Sequence, residues 1–214
     1  MSYNTLIFDL DGTLLNTLDD LTNSINYSLN KLNFPPRSSE EICSFAGIGI
    51  EKLIELSLPE KTSYDQFAKC LFIFQKHYSE NMKNKTRPYN GIIDLLQYLK
   101  ENNYNMAIVS NKFQEGVTDL NNYYFSDYID VAIGKSPEMR KKPYPDTILA
   151  AIDKLGASKE NCLYIGDSEV DIKTAQNTKI KCVGVDWGFR GKDLLQELGA
   201  DYVIDTPHDL ISII

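Results

Sequence analysis

Short apolar runs, rich in β-branched residues, recur along the chain: "TLIFD" (Thr5 to Asp9), "MAIVS" (Met106 to Ser110), "DVAIG" (Asp130 to Gly134), "CLYIGD" (Cys162 to Asp167), "KCVGVD" (Lys181 to Asp186) and "YVID" (Tyr202 to Asp205). They are apolar almost throughout rather than alternating, the pattern of strands covered on both faces. Between most of them, apolar positions recur at three and four. Ile92, Leu95, Leu96 and Leu99 form one such set, and Phe113, Val117, Leu120 and Tyr124 another. Ile148, Ile152 and Leu155 precede Gly156, and Leu194, Leu195 and Leu198 precede Gly199, so both sets end on a helix-terminating glycine. Strands alternating with helices predict an α/β fold, a Rossmann-like parallel sheet with helices on both faces.

The alternation stops between Thr17 and about Lys85. Leu18, Leu21, Ile25, Leu29 and Leu32 make a helical stripe, with Thr17 and Asp20 as the expected capping pair. Phe67, Leu71, Phe74 and Tyr78 make another, and "NFPPRSSEE" supplies a break followed by a serine cap. The simplest organisation is an all-helical insertion: residues 17–85 as a cap, residues 1–16 and 86–214 as the α/β core. The junctions "LNTL" and "KTRPYNG" are expected to let the insertion move as a lid.

Composition narrows the partners. The chain has 214 residues, 43% of them hydrophobic, enough for a core domain with an insertion. Its formal net charge is −8, from 30 acidic and 22 basic residues without a dense basic block, which argues against nucleic acid or an anionic membrane as partner. No run approaches membrane-spanning length, and the first apolar stretch runs straight into Asp9, so a cytosolic location is expected. Cys43, Cys70, Cys162 and Cys182 form no CxxC pair and indicate neither a zinc site nor a disulfide framework. The sequence carries no signal for a particular oligomeric state. A phosphorylated substrate would meet net repulsion and would need a local cation.

Ligands of open parallel sheets bind beyond the carboxyl ends of the strands, so the strand ends carry the chemistry. The first ends on Asp9 with Asp11 two positions on, on the same face if the extended geometry persists. The second ends on Ser110, followed by Asn111 and Lys112. Lys142 lies in "KKPYPD" after the third, and the fourth ends in "GDSEVD" with Asp167 and Asp171. Oxygen ligands without His or Cys suit a hard cation such as Mg²⁺, which would relieve the repulsion between Asp9 and Asp167. Gly12 permits a tight turn after Asp11, and Thr13 adds a hydroxyl beside it. His77 and His208 read as surface or packing residues; Trp187, which follows a strand end, reads as a packing residue, with a place at the edge of the crevice as the alternative.

The set "DLDGT", "SNK", "KKPYPD" and "GDSEVD" resembles the haloacid dehalogenase superfamily, and more closely its phosphoglycolate phosphatase-like branch with a helical cap. The resemblance implies a phosphatase acting on a small phosphorylated metabolite. It implies Asp9 as the nucleophile that forms an aspartyl-phosphate, and Asp11 as general acid and then base. Ser110 and Lys142 would hold the transferring phosphoryl group. Asp9, the backbone carbonyl of Asp11 and Asp167 would ligate Mg²⁺, with Asp171 as a ligand or as the residue that orients Lys142. Gly12, Thr13, Asn111 and Lys112 would line the phosphate side, and Gly47 and Gly49 in "FAGIGIEKLIEL" resemble the G-x-G loop that meets the rest of the substrate. A phosphotransferase or sugar-phosphate mutase, or a pyrophosphatase, stays open on the same scaffold. A non-enzymatic phospho-receiver also has a strand-end Asp with Mg²⁺ and Lys. The insertion and Asp11 speak against it, since a receiver must preserve its acyl phosphate.

Overall fold

A computed structural model describes residues 3–214. In chain order, β1 (Thr5–Phe8) leads through a tight turn to β2 (Leu15–Asn16). Four helices follow, α1 (Leu18–Lys31), α2 (Ser39–Phe45), α3 (Ile50–Ser57) and α4 (Tyr64–Asn81), before β3 (Arg87–Pro88). Next come α5 (Ile92–Glu101), β4 (Asn105–Phe113), α6 (Gln114–Tyr124), β5 (Val131–Lys135) and α7 (Asp146–Lys154). The chain closes with β6 (Cys162–Gly166), α8 (Glu169–Thr178), β7 (Lys181–Val185), α9 (Lys192–Glu197), β8 (Tyr202–Ile204) and a 3₁₀ segment.

Six strands form one parallel sheet in the order β5-β4-β1-β6-β7-β8. All four residues of β1 are buried, as its unbroken apolar run requires for a central strand. Ile7, Ala107, Val109, Ile133 and Tyr164 from the sheet pack with Ile148, Ala151, Ile172, Ala175 and Leu195 from α7, α8 and α9. The chain steps from β1 to β4 and β5, then returns to the other side of β1 for β6, β7 and β8. Loops leaving β1 and β6 therefore diverge, and a crevice opens at their carboxyl ends.

The chain divides into two compact units, Met1–Leu15 with Pro88–Ile214, and Asn16–Arg87. Both boundaries fall inside β2 and β3, which pair as a separate two-stranded sheet. In the second unit α1 packs on α4, burying Leu21, Ile25 and Leu29 against a face that carries Cys70, Phe74 and Tyr78. Ser38 and Ser63 cap α2 and α4 with reciprocal capping boxes.

The start of α1 departs from expectation. Thr17 occupies the N-cap without a side-chain cap bond. The buried Asp20 carboxylate instead accepts the backbone N–H groups of Lys85 (2.9 Å) and Thr86 (2.8 Å) and the Thr86 hydroxyl (2.9 Å). Three donors from one distant turn outbid a single local N–H. A second departure lies in β4, which does not stop at Ser110 but runs to Phe113. Val109 pairs with Ile133 and Phe113 with Lys135, so four steps along β4 match two along β5. Ser110, Asn111 and Lys112 therefore sit in a bulge, a device that re-aims side chains at a strand end.

Candidate active site

The first unit brings together Asp9 and Asp11 after β1, the β4 bulge, Lys142 from the β5–α7 loop, and Asp167 and Asp171 around the start of α8. Asp9, Asp167 and Asp171 are all buried, and one ligand atom from each lies within 4.8 Å of the others. Lys142 is threaded among them. Its Nζ lies 2.7 Å from Asp9 Oδ1, 2.7 Å from Asp171 Oδ1 and 3.0 Å from the Tyr164 hydroxyl. Those three acceptors match the three protons of an ammonium. Asn111 fixes the same residue by its backbone: its Oδ1 accepts from Lys142 N at 2.8 Å and its Nδ2 donates to Lys142 O at 3.2 Å.

Asp171 has all its lone pairs engaged. Oδ1 accepts from Lys142 and from the Tyr164 hydroxyl (2.8 Å), and Oδ2 accepts from the backbone N–H (3.1 Å) and hydroxyl (2.6 Å) of Ser168, the N-cap of α8. Asp167 is held differently. Its Oδ1 accepts from the Thr13 hydroxyl at 3.0 Å and its Oδ2 from Phe189 N–H at 2.8 Å. Gly12, at φ +90°, runs so close that a Cβ there would lie 2.3 Å from Asp167 Oδ2, so the turn after Asp11 tolerates no side chain.

Asp11 is half-buried and pairs with the buried Lys112 at 3.0 Å. The Ser110 hydroxyl accepts from Lys112 N–H at 3.2 Å. Gly47 and Gly49 belong to the second unit, in the turn between α2 and α3, with φ of +96° and +98°.

Electrostatically the cluster is short of positive charge. Burial drives the Asp9 carboxyl well above its ordinary range; Lys142 opposes this, and Asp171 and Asp167 reinforce it. Burial, with Asp171, likewise pushes Asp167 up to about 7, against the pull of the Phe189 and Thr13 donors. Burial also works against an ionised Asp171, but Lys142 and the hydroxyls of Ser168 and Tyr164 outweigh it, and its pKa falls. At Lys142 burial opposes the charge, and Asp171 and Asp9 more than offset it, so the ammonium is held more firmly than usual. Three buried carboxylates thus face one ammonium, an imbalance that a divalent cation fits.

Two participants were not singled out by the motifs. Tyr164 lies within an apolar run, and its hydroxyl was the one polar atom there that called for a partner. Trp187, expected to pack, donates its indole N–H to the Thr13 carbonyl at 3.0 Å. His77 bonds Ser24 and stacks on Tyr27 in the second unit.

A parallel sheet carrying buried acids and a lysine at its strand ends is a phosphate-handling architecture, and residues 6–185 match the haloacid dehalogenase-like hydrolase family. The chain belongs to that family. Phosphoglycolate phosphatase of Aquifex aeolicus is 29% identical over 211 residues, 97% of this chain and 95% of that one. Pyrophosphatase PpaX of Bacillus mycoides is 28% identical over 215 residues, 100% of this chain and 98% of the relative. The crystal structure of a candidate phosphoglycolate phosphatase from Lactobacillus delbrueckii subsp. bulgaricus matches with a TM-score of 0.94 and 33% identity, over 100% of this chain and 99% of that one. The chain is accordingly an enzyme, a phosphatase of this family. Among the described residues no helix is long and apolar enough to cross a membrane.

Proposed function

We propose that the chain hydrolyses a small phosphomonoester through an aspartyl-phosphate on Asp9, with Mg²⁺ as cofactor. The observation that carries this reading is the buried Asp9 carboxylate at the switch point of the sheet, in contact with Lys142 and grouped with Asp167 and Asp171. The donor set fits the ion: carboxylate oxygens around a site with too little positive charge. Asp9, Asp167 and the backbone carbonyl of Asp11 would hold it. Asp171, with every lone pair already engaged, serves better as the anchor of Lys142 than as a ligand. Bound there, Mg²⁺ supplies the positive charge that lets a phosphate dianion approach an anionic nucleophile.

The protein's own groups perform the transfer. The Asp9 carboxylate attacks phosphorus, the bond to the leaving oxygen breaks, and the Asp11 carboxyl gives that oxygen its proton. Water then attacks the phosphorus, the Asp11 carboxylate takes up the proton, and the bond to Asp9 breaks to release inorganic phosphate. Ser110 holds the phosphoryl oxygens, and Lys142, whose three protons are already bonded, contributes its fixed positive charge beside Asp9. Gly12 and Thr13 support Asp167, Asn111 supports Lys142, and Lys112 supports Asp11, so these four act on the phosphate mainly through their neighbours. Within Asn16–Arg87, Gly47 and Gly49 are assigned to selection of the leaving group.

The test is phosphate release from an aryl phosphate with and without Mg²⁺. Asp9→Asn keeps the shape of the side chain but is a poor nucleophile, and should lower kcat by at least about 10³-fold with unchanged circular dichroism. Near wild-type turnover would refute the assignment. The relatives offer phosphoglycolate and pyrophosphate as the first substrates to compare. "FAGIGIEKLIEL" holds no arginine, and its one lysine, Lys52, pairs with Glu55 at 3.0 Å, so this segment offers no obvious partner for a substrate carboxylate. Ile48→Arg should reorder a panel of phosphorylated metabolites while changing kcat/KM for acetyl phosphate by less than about threefold. Equal losses on all substrates would remove the turn from specificity.

A further inference from the structure

The loop from Asp186 to Gly191, "DWGFRG", joins β7 to α9 and has no part in the mechanism above. It is nevertheless tied to the site at three points. The Trp187 indole N–H donates to the Thr13 carbonyl at 3.0 Å, and Phe189 N–H donates to Asp167 Oδ2 at 2.8 Å. Arg190 grips Glu169 with two bonds, of 2.7 and 3.2 Å. Its far end is closed by Asp186 Oδ1, which accepts from Lys192 N–H at 2.6 Å.

Gly188 shows what these ties accomplish. A Cβ there would lie 2.2 Å from Asp167 Cβ and 2.7 Å from the Gly12 carbonyl oxygen. A Cβ on Gly12 would meet Asp167 Oδ2 at 2.3 Å. The Asp167 side chain is thus pressed between two bare backbone segments, one from the loop and one from the turn after Asp11, and each of its oxygens takes one donor from one of those segments. Packing walls remove the alternative rotamers, and the two donors fix the plane of the carboxylate. Mg²⁺ demands near-ideal octahedral geometry and rewards ligands already aimed.

We propose, building on the assignment of Asp167 as a Mg²⁺ ligand, that residues 186–191 form a positioning strap that presets Asp167, with the Trp187–Thr13 hydrogen bond as the tie that holds the strap to the nucleophile turn. Trp187 and Gly188 are then positioning residues for cation binding. They touch neither substrate nor reacting atoms.

Mg²⁺ binding by isothermal titration calorimetry tests this on the wild-type chain and on Trp187→Phe, Arg190→Gln and Gly188→Ala. Trp187→Phe retains the ring and removes the donor; it should weaken Mg²⁺ binding by about tenfold, and Arg190→Gln, which frees the other end of the strap, should act in the same direction. Gly188→Ala forces Asp167 to move and should weaken binding by about a hundredfold. In Trp187→Phe, kcat at saturating Mg²⁺ should stay within about threefold of wild type, a split that a general loss of structure does not produce. If Trp187→Phe and Arg190→Gln both bind Mg²⁺ within about twofold of wild type, the strap does not position the ligand, and the assignment of Asp167 stands. A wild-type chain that takes up no Mg²⁺ would overturn the strap and the assignment together.

Discussion

Lys142 is fixed by side chains on both sides of its own backbone. Asn111 holds the peptide, and Asp9, Asp171 and Tyr164 take the ammonium protons. A buried ammonium with all three protons bonded cannot swing aside, so its charge stays directed at Asp9. Tyr164 contributes through its hydroxyl alone, since its ring already belongs to the core. Tyr164→Phe should leave one proton of Lys142 without an acceptor and destabilise the protein by about 1–2 kcal/mol in urea unfolding. The same loosening should lower kcat by about tenfold, with KM changing less. A fall in stability with unchanged kcat would make Tyr164 a core residue only.

At the scale of elements, the bulge in β4 turns a strand end into a platform. It presents Ser110, Asn111 and Lys112 in succession, each to a different partner: Ser110 to the backbone of Lys112, Asn111 to Lys142, Lys112 to Asp11. Gly134 on β5 makes the bulge possible. A Cβ there would lie 2.7 Å from Gln114 Cα and 2.8 Å from the Lys112 carbonyl oxygen, both backbone atoms. The Gln114 side chain clasps the same strand, accepting from Gly134 N–H at 2.7 Å and donating to the Ala132 carbonyl at 3.1 Å. Gly134→Ala should therefore displace the bulge. The expected result is a loss of about 1–3 kcal/mol of stability, with a fall in kcat larger than a substitution of equal cost elsewhere in the sheet produces. Urea unfolding and phosphate release measured on the same preparation would separate the two effects.

For the molecule as a whole, the site is a local excess of buried negative charge. Burial and mutual repulsion act against ionised Asp9 and Asp167 in the folded chain, and a cation that binds only there stabilises the folded state by mass action. At a Mg²⁺ concentration about a hundred times its dissociation constant the gain is about 2.7 kcal/mol. The melting temperature should rise with Mg²⁺, return to its lower value on chelation, and respond far less in Asp167→Asn. A wild-type melting curve insensitive to Mg²⁺ would count against the cluster as a cation site.

The sequence by itself determined the class of fold, because helix and strand periods are local: each run of apolar residues announces its own element, and strands separated by helices leave a parallel sheet as the arrangement that buries both faces. It also displayed the acids and the lysine, since strand-end positions can be read once the strands are known. Only the tertiary structure decided what those residues touch. Trp187 and Thr13 are 174 positions apart, and Thr13 and Asp167 are 154 apart, so their bonds depend on strand order, which no local pattern encodes. The local rule that gave Asp20 to the cap of α1 failed because a turn 65 and 66 positions away offered more donors. Hydrogen bonds form with whichever partner the packed chain delivers, and that delivery is a property of the whole fold.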